Sequence, residues 1–191
     1  MSVNGVQIDC QRCPTSIKTL RTHVVLGSGS GSNHLMLIGE APGKEEDKTG
    51  HPFVGQAGMV LNTLLRGSQI SRSDTYITNI VKCRPQYGNR NRMPTTSEIS
   101  ACSPYLREEI LRIQPWIICP MGNSALQFFR PQTSITQEKG KPSCWENTNI
   151  VVFPLYHPSV AIYNREKYAI LQEDMNIVAI KLKALGIKHM R

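Results

Sequence analysis

Four cysteines have a spacing that suits a metal centre. Cys10 and Cys13 form a C-x2-C pair, and this spacing lets two thiolates from one turn reach a common metal. Cys83 and Cys102 lie farther along the chain and would complete a set of four thiolate ligands, either for zinc or for an iron–sulfur cluster. Spacing alone leaves open the alternative that Cys83 and Cys102 are isolated core thiols.

Three short sequences combine glycines, acids, an amide and an imidazole. Residues 39–58 read GEAPGKEEDKTGHPFVGQAG, residues 78–85 read TNIVKCRP, and residues 157–159 read HPS. In the first of these, glycines allow a ligand to approach the backbone, and free amides near a helix start favour anionic groups. Taken by itself, this segment predicts a binding loop of unknown specificity.

Four apolar runs predict the strands that position these sequences. They are continuously apolar and rich in β-branched residues, which fits a parallel sheet covered on both faces. The predicted strands are residues 34–40, 75–82, 116–120 and 150–156.

Helical patterns lie between and after these strands. The predicted helices are residues 55–66, 96–113, 122–129 and 166–185. Strands that alternate with helices predict an α/β fold, a three-layer α/β/α sandwich around a four-stranded parallel sheet. Ligands of such sheets bind beyond the carboxyl ends of the strands, where all three short sequences fall, so we predict that they converge on one pocket. The 191 residues suit a single domain whose N-terminal segment carries Cys10 and Cys13.

Charge and composition restrict the class of protein. The formal net charge of +8 points toward a polyanionic partner such as a nucleic acid, although charge alone does not decide this. We expect no membrane span, because no run of about 18 apolar residues occurs. The N-terminus lacks a signal pattern, so we expect a cytoplasmic protein with reduced thiols rather than a disulfide framework. The sequences around Cys119 and Cys144 predict packing residues.

The three motifs together resemble the family 4 uracil-DNA glycosylases, the iron–sulfur branch of that superfamily found in bacteria and archaea. The resemblance runs from Cys10 to at least Ser159 and rests mainly on the long first motif. It implies a monofunctional hydrolase that removes uracil from single- or double-stranded DNA and so starts base excision repair. It also implies a nucleoid-associated monomer with a 4Fe-4S cluster on Cys10, Cys13, Cys83 and Cys102, in preference to zinc.

The resemblance assigns roles to three pocket residues. Phe53 would stack on the flipped uracil. The amide of Asn79 would accept from uracil N3–H and donate to O4, a pattern that cytosine does not match. His157 would donate a hydrogen bond to O2, where negative charge develops as the base leaves.

The acid–base assignment is less direct. Well-known members of the superfamily carry a water-positioning aspartate two residues after the first motif glycine, and this chain has Ala41 there. The resemblance therefore implies a dissociative route, in which uracilate departs before water captures the sugar cation, with Ala41 in the substrate site. Glu40 or Glu46 would orient that water or shape the pocket against the methyl group of thymine. A solvated loop carboxylate is the alternative for either residue.

The resemblance also implies DNA contacts. In the loop after His157 the family inserts an apolar wedge, for which Ala161 and Ile162 are candidates. The chain has Tyr163 near the position of a family arginine, and Arg165 would compensate. A basic run beside Cys83 would neutralise phosphates, with a solvated loop as the alternative for its last two members. The run comprises Lys82, Arg84, Arg90 and Arg92, and Ser159 completes the predicted contacts.

The connection between Cys83 and Cys102 is longer than is usual in the family. A related branch traps DNA covalently through a histidine on an inserted loop in this region, but residues 86–92 (QYGNRNR) contain no histidine, so trapping is not expected. Two other interpretations stay open at this point. One is an iron–sulfur nucleic-acid-binding accessory protein of the same fold without turnover, and the other is a zinc protein.

Overall fold

The computed structural model describes residues 2–3, 6–7, 10, 13 and 17–189, and its centre is a mostly parallel sheet. The strands are β1 (Ser2–Val3), β2 (Val6–Gln7), β3 (Leu35–Gly39), β4 (Tyr76–Asn79), β5 (Gln86–Tyr87), β6 (Arg90–Asn91), β7 (Ile117–Pro120), β8 (Ser143–Cys144) and β9 (Val151–Val152). The central sheet has the order β4-β3-β7-β9-β8. Its first four members run parallel, as predicted, and β8 pairs antiparallel with β9 at the edge.

Helices cover this sheet on both faces. They are α1 (Ile17–Leu20), α2 (Lys44–Thr49), α3 (Gln56–Gly67), α4 (Thr96–Ile113), α5 (Asn123–Phe129), α6 (Ile135–Glu138) and α7 (Arg165–His189). A 3-10 turn at Pro158–Ala161 precedes α7. In the part of the chain that the structure describes, no helix has both the length and the apolar character needed to cross a membrane.

The core lies in two layers, one on each side of the sheet. Leu35 and Leu37 of β3 point to one side and pack in a cluster with residues of α3 and α7. Met36 and Ile38 of the same strand point to the other side and pack with residues of α4. Because neighbouring strand residues face opposite ways, both faces of a covered strand must be apolar. The predicted three-layer α/β/α architecture is confirmed.

The structure corrects two details of the sequence prediction. The sheet has a fifth strand, β8, which the sequence did not reveal because two exposed residues carry no strand pattern. Cys144 in this strand is exposed, so the prediction that it packs in the core is wrong, whereas Cys119 is fully buried as predicted.

The second predicted strand also ends earlier than its apolar run. β4 stops at Asn79, and the buried residues Ile80–Lys82 form a turn. The amide of Ile80 bonds to the carbonyl of Gly39 at 3.0 Å, and the amide of Val81 bonds to that of Glu40 at 3.1 Å. Apolar side chains here cover the core from a loop, which periodicity cannot distinguish from a strand.

Candidate active site and cysteine cavity

A cavity of about 520 Å³ opens at the carboxyl ends of the parallel strands. Asn79 is the last residue of β4, and His157 lies in the loop between β9 and α7. The residues that line the cavity include Ala41, Glu46, Phe53, Asn79, Asn91, His157, Ser159 and Ile162. All three sequence motifs therefore contribute to one pocket, at the edge of the sheet that the topology predicted.

Gly39 lies between the aromatic ring and the amide of this pocket. A β-carbon at position 39 would lie 2.6 Å from Cζ of Phe53, and closer still to Oδ1 of Asn79. Both side chains therefore rest against the end of β3, and only glycine leaves room for them. The phenyl ring and the carboxamide are held next to each other by the sheet itself.

The loop that presents Phe53 is held in a left-handed backbone conformation. Phe53 has φ of +53° and is 5% exposed, and a conformation of this kind costs about 1–3 kcal/mol for a side chain of this size. Arg72 stabilises it by donating from Nη2 to the carbonyl oxygens of Pro52, at 3.0 Å, and Phe53, at 3.2 Å. Gly58 lets helix α3 come close, since a β-carbon there would collide with the carbonyl of Phe53.

Glu46 fixes the same loop from the other side. Its Oε1 accepts hydrogen bonds from the amides of Val54, at 2.9 Å, and Gly55, at 2.8 Å. Its Oε2 accepts from the amide of Gly43 at 3.1 Å, which satisfies a free backbone donor at the start of α2. One carboxylate thus links the start of α2 to the start of α3. Phe53 lies directly before Val54, whose amide is one of the donors on the α3 side.

Asn79 has a buried amide that is free to bind a ligand. The residue is 2% exposed and lines the cavity. Its side chain forms no hydrogen bond with any residue in the described ranges, whereas its backbone carbonyl accepts from Lys82 Nζ at 2.7 Å. The amide therefore faces the cavity with both its donor and its acceptor available to a ligand.

His157 is held as a neutral hydrogen-bond donor. Burial lowers the pKa of its imidazole to about 4, although the charge of Glu46 acts in the opposite direction. Nδ1 accepts from the amide of Ser159 at 3.2 Å and lies 2.8 Å from its hydroxyl. Since Nδ1 is the acceptor, the ring proton of the neutral form is on Nε2. The ring centroid lies 5.8 Å from that of Phe53.

Glu40 and Ala41 follow β3 at the edge of the pocket. Ala41 lines the cavity, while Glu40 lies behind it and accepts a hydrogen bond from the hydroxyl of Ser124. The structure therefore brings Phe53, Asn79 and His157 together with Ala41 and Glu46, and it leaves Glu40 outside the residues that line the cavity.

A second, smaller cavity is lined by Cys10, Cys13, Cys83 and Cys102. Arg21 donates from Nη1 to Sγ of Cys83 at 3.1 Å and to Sγ of Cys10 at 3.3 Å. Burial raises the pKa of Cys83 to about 11, and burial also raises the pKa of Cys102. Among the described residues, no group of three or more His, Cys, Asp or Glu side chains is arranged to hold a single metal ion.

Comparison with known proteins agrees with this geometry. Residues 26–181 match the model of the uracil DNA glycosylase superfamily. The chain belongs to this superfamily. It is 45% identical over 181 residues to the type-4 uracil-DNA glycosylase of Thermotoga maritima, covering 93% of this chain and 91% of that protein. It is 39% identical to the type-4 enzyme of Sulfurisphaera tokodaii, over 96% and 83% of the two chains. The type-5 uracil-DNA glycosylase of Pyrobaculum aerophilum is 28% identical, over 80% of this chain and 79% of that protein.

Within this uracil-DNA glycosylase superfamily fold, two of the cations predicted to contact phosphate are buried. Lys82 is 1% exposed and forms a 2.6 Å ion pair with Glu109, which is also buried. Arg84 is 6% exposed and donates to Asn91 Oδ1 at 2.7 Å and to the carbonyl of Asn89 at 2.9 Å. Each cation compensates polar groups inside the protein, and its contact with a phosphate stays a prediction.

The other predicted contacts separate into exposed and buried groups. Ser159 and Arg165 are exposed, and Ile162 lines the cavity. Ala161 is 8% exposed and packs in the core, whereas Val160 beside it is 40% exposed. The role of Ala161 or Ile162 as a wedge stays a prediction. Arg92 is paired with Glu98, whereas Arg90 is exposed.

Proposed function

We propose that this protein hydrolyses the N-glycosidic bond of deoxyuridine that has been flipped out of DNA, releasing uracil and leaving an abasic site. The observation that carries the proposal is one cavity in which an aromatic ring, an unpartnered amide and a neutral imidazole meet. The type-4 relatives support the same activity over nearly the whole chain.

Base recognition follows from the donors and acceptors of the pocket. Uracil stacked on Phe53 presents an N3–H donor and an O4 acceptor at its Watson–Crick edge. The carboxamide of Asn79 supplies one acceptor and one donor that match this pair. Cytosine presents an acceptor at N3 and a donor at N4, so it would leave the buried amide mismatched on both atoms.

Bond cleavage depends on where charge develops. The electron pair of the bond between C1′ and N1 moves onto the base, and O2 of the departing uracil anion takes much of the charge. His157 donates Nε2–H to that oxygen, and a neutral donor with a low pKa stabilises the anion without changing its own charge. Water then adds its oxygen to the sugar cation at C1′ and loses one proton, and the uracil anion takes up a proton from solvent.

The carboxylates contribute by holding other groups in place rather than by accepting a proton from water. We infer that Glu46 keeps Phe53 in place, because its oxygens already accept from the amides of Gly43, Val54 and Gly55. Ala41 offers no carboxylate at the position where other superfamily members carry a base, which favours a dissociative route. The role of Glu40 in orienting water stays a prediction.

The four cysteines that line one cavity are proposed to hold a 4Fe-4S cluster. The thiols of Cys10, Cys13, Cys83 and Cys102 supply a set of four sulfur ligands, which suits such a cluster. The guanidinium of Arg21, which already reaches two of the sulfurs, would compensate the negative charge of bound thiolates. The cluster would hold the N-terminal segment against the region between Cys83 and Cys102. A brown purified protein with iron and sulfide supports this proposal, and a colourless zinc protein contradicts it.

DNA is the proposed macromolecular partner, in single- or double-stranded form. The net charge of +8 favours binding to phosphates, and extrusion of the base costs a few kcal/mol in a duplex. The proposed contacts are Ser159 and Ile162, which line the cavity, and the exposed Arg165. The monomeric state and association with the nucleoid stay predictions.

A single assay separates an enzyme from a binding protein. An oligonucleotide with one deoxyuridine is incubated with the protein and then treated with alkali, which breaks the strand at an abasic site. Strand scission supports the proposed hydrolase. An intact strand that still shifts in a mobility assay would support the alternative, an accessory protein without turnover.

A further inference from the structure

Hairpin β5–β6 is a polar arm beside the active-site cavity. It lies in the connection between Cys83 and Cys102, and its turn contains Gly88 with φ of +53°. Tyr87 at the tip is 75% exposed, and Arg90 opposite it is exposed as well. A short hairpin with an open aromatic ring and a cation has the chemistry of a nucleic-acid contact.

The base of the hairpin is built on buried groups. Arg84, which is 6% exposed, bonds through Nε to Asn91 Oδ1 and through Nη2 to the carbonyl of Asn89. Gln86 donates from Nε2 to the carbonyl of Leu20 at 2.8 Å. These bonds fix the position of the hairpin relative to α1 and to Arg84, the residue directly after Cys83.

The aromatic ring of the hairpin is supported from one side. The guanidinium carbon of Arg92 lies 5.2 Å from the ring centroid of Tyr87. Arg92 is itself held by two short bonds to the fully buried carboxylate of Glu98, at 2.6 and 2.8 Å. Tyr87 therefore has one face packed on a fixed cation while most of its surface stays open to solvent, as in a preorganised stacking platform.

Asn91 connects the hairpin to the active-site cavity. Its side chain lines that cavity, on the side where Gly43 starts the first helix after β3. Because Arg84 occupies Oδ1, the orientation of the carboxamide is set and its NH2 group remains available as a donor. A donor at the entrance of a pocket that takes a nucleotide is suited to a phosphate oxygen.

We infer that hairpin β5–β6 is a DNA-binding arm that contacts the DNA strand next to the extruded nucleotide. The amide of Asn91 donates to a phosphate of that nucleotide, Tyr87 stacks on a neighbouring unpaired base, and Arg90 neutralises an adjacent phosphate. This inference rests on the proposed function for the identity of the strand. It gives the connection between Cys83 and Cys102 a role in holding substrate that is separate from the cysteines themselves.

The test is equilibrium binding of single-stranded DNA that carries an uncleavable abasic analogue. We expect Tyr87→Ala and Asn91→Ala each to raise Kd by about 10-fold, since stacking and charge-assisted hydrogen bonds have about this size. Asn91→Asp should raise Kd further, most strongly at low salt, because a carboxylate repels phosphate. The matched controls are Leu111→Ala and Asn149→Ala, two exposed residues away from the active-site cavity, and their Kd should not change.

A second measurement separates contact with the strand from contact with the base. Free uracil should inhibit excision equally well in wild type, Tyr87→Ala and Asn91→Ala, because uracil alone has no phosphate and no neighbouring base. The inference is overturned if Kd for DNA stays at the wild-type value in both variants, or if inhibition by free uracil weakens in parallel with Kd. Excision by the wild type tests the proposed function alone. The ratio of Kd between each variant and the wild type tests the hairpin and does not depend on turnover.

Discussion

His157→Ala is expected to slow single-turnover release of uracil by about 10²–10³-fold, with little change in Kd for DNA. The estimate assumes that one preorganised donor to a developing oxyanion contributes about 3–4 kcal/mol to the transition state. In the ground state the uracil O2 carries much less charge, so the same hydrogen bond contributes little to binding.

The structure also predicts the pH dependence of this step. With a pKa of about 4, His157 is neutral throughout the range from pH 5.5 to 8.5, and the rate should show no titration of this group there. Protonation below pH 4 would make Nδ1 a donor and remove its bond from the amide of Ser159. The rate should therefore fall only in that acidic range.

The same lowered pKa makes a prediction for stability. In the unfolded chain the imidazole protonates near its ordinary pKa of 6.5, while in the native state it stays neutral down to about 4. Above pH 6.5 the imidazole is neutral in both states, so it does not change the free energy of unfolding with pH. Between pH 6.5 and 4 only the unfolded chain takes up the proton, and the free energy of unfolding falls by up to about 3 kcal/mol. Denaturant titrations at pH 7.5 and 4.5 should show a smaller loss for His157→Ala than for the wild type.

Ser159→Ala is the matched control, because it removes the hydroxyl but keeps the amide that bonds to Nδ1. Its rate should fall only a few-fold. A pH–rate profile with a step near 6.5 that disappears in His157→Ala would refute the assignment of a neutral donor. A rate in His157→Ala within a factor of three of the wild type would refute the donor itself.

Three further variants test the pocket and the residues behind it. Asn79→Asp replaces the amide donor with an acceptor, so uracil excision at pH 7.5 should fall by at least about 10-fold; an unchanged rate would remove Asn79 from base recognition. Gly39→Ala should displace Phe53 or the amide and cut excision strongly while circular dichroism stays native-like, and normal activity would show that the close packing seen here is unnecessary. Lys82→Met leaves Glu109 buried without its cation and should destabilise the protein by about 3–5 kcal/mol in denaturant titration; a loss below 1 kcal/mol would show that the pair is dispensable.

The fold was predictable because its strands are unusually apolar. Residues Leu35–Gly39 and Ile117–Pro120 are buried at every position, and such runs indicate a covered parallel sheet without any knowledge of pairing. β8 could not be found in this way, since two exposed residues at an edge have no periodicity. The apolar residues Ile80 and Val81 resemble a strand in sequence because burial, rather than ladder hydrogen bonding, determines their composition.

The pocket was predictable from motifs at strand ends, but its supports were not. Phe53, Asn79 and His157 follow from the motifs, whereas Arg72 and Ser124 lie outside the motifs and have no local signal. Lys82 illustrates the limit most clearly. A lysine within a basic run indicates a phosphate contact, and only the position of Glu109, 27 residues later, shows that its charge is neutralised inside the protein.

The close packing of Phe53 and Asn79 on Gly39 has a consequence for how the protein searches a genome. Phe53 and Asn79 already pack against Gly39 at the end of a strand, so we expect a flipped base to be tested without prior closure of the pocket. Cytosine, which vastly outnumbers uracil in DNA, would then meet a mismatched amide on first contact. Early rejection of cytosine is the benefit we expect from such a preformed pocket.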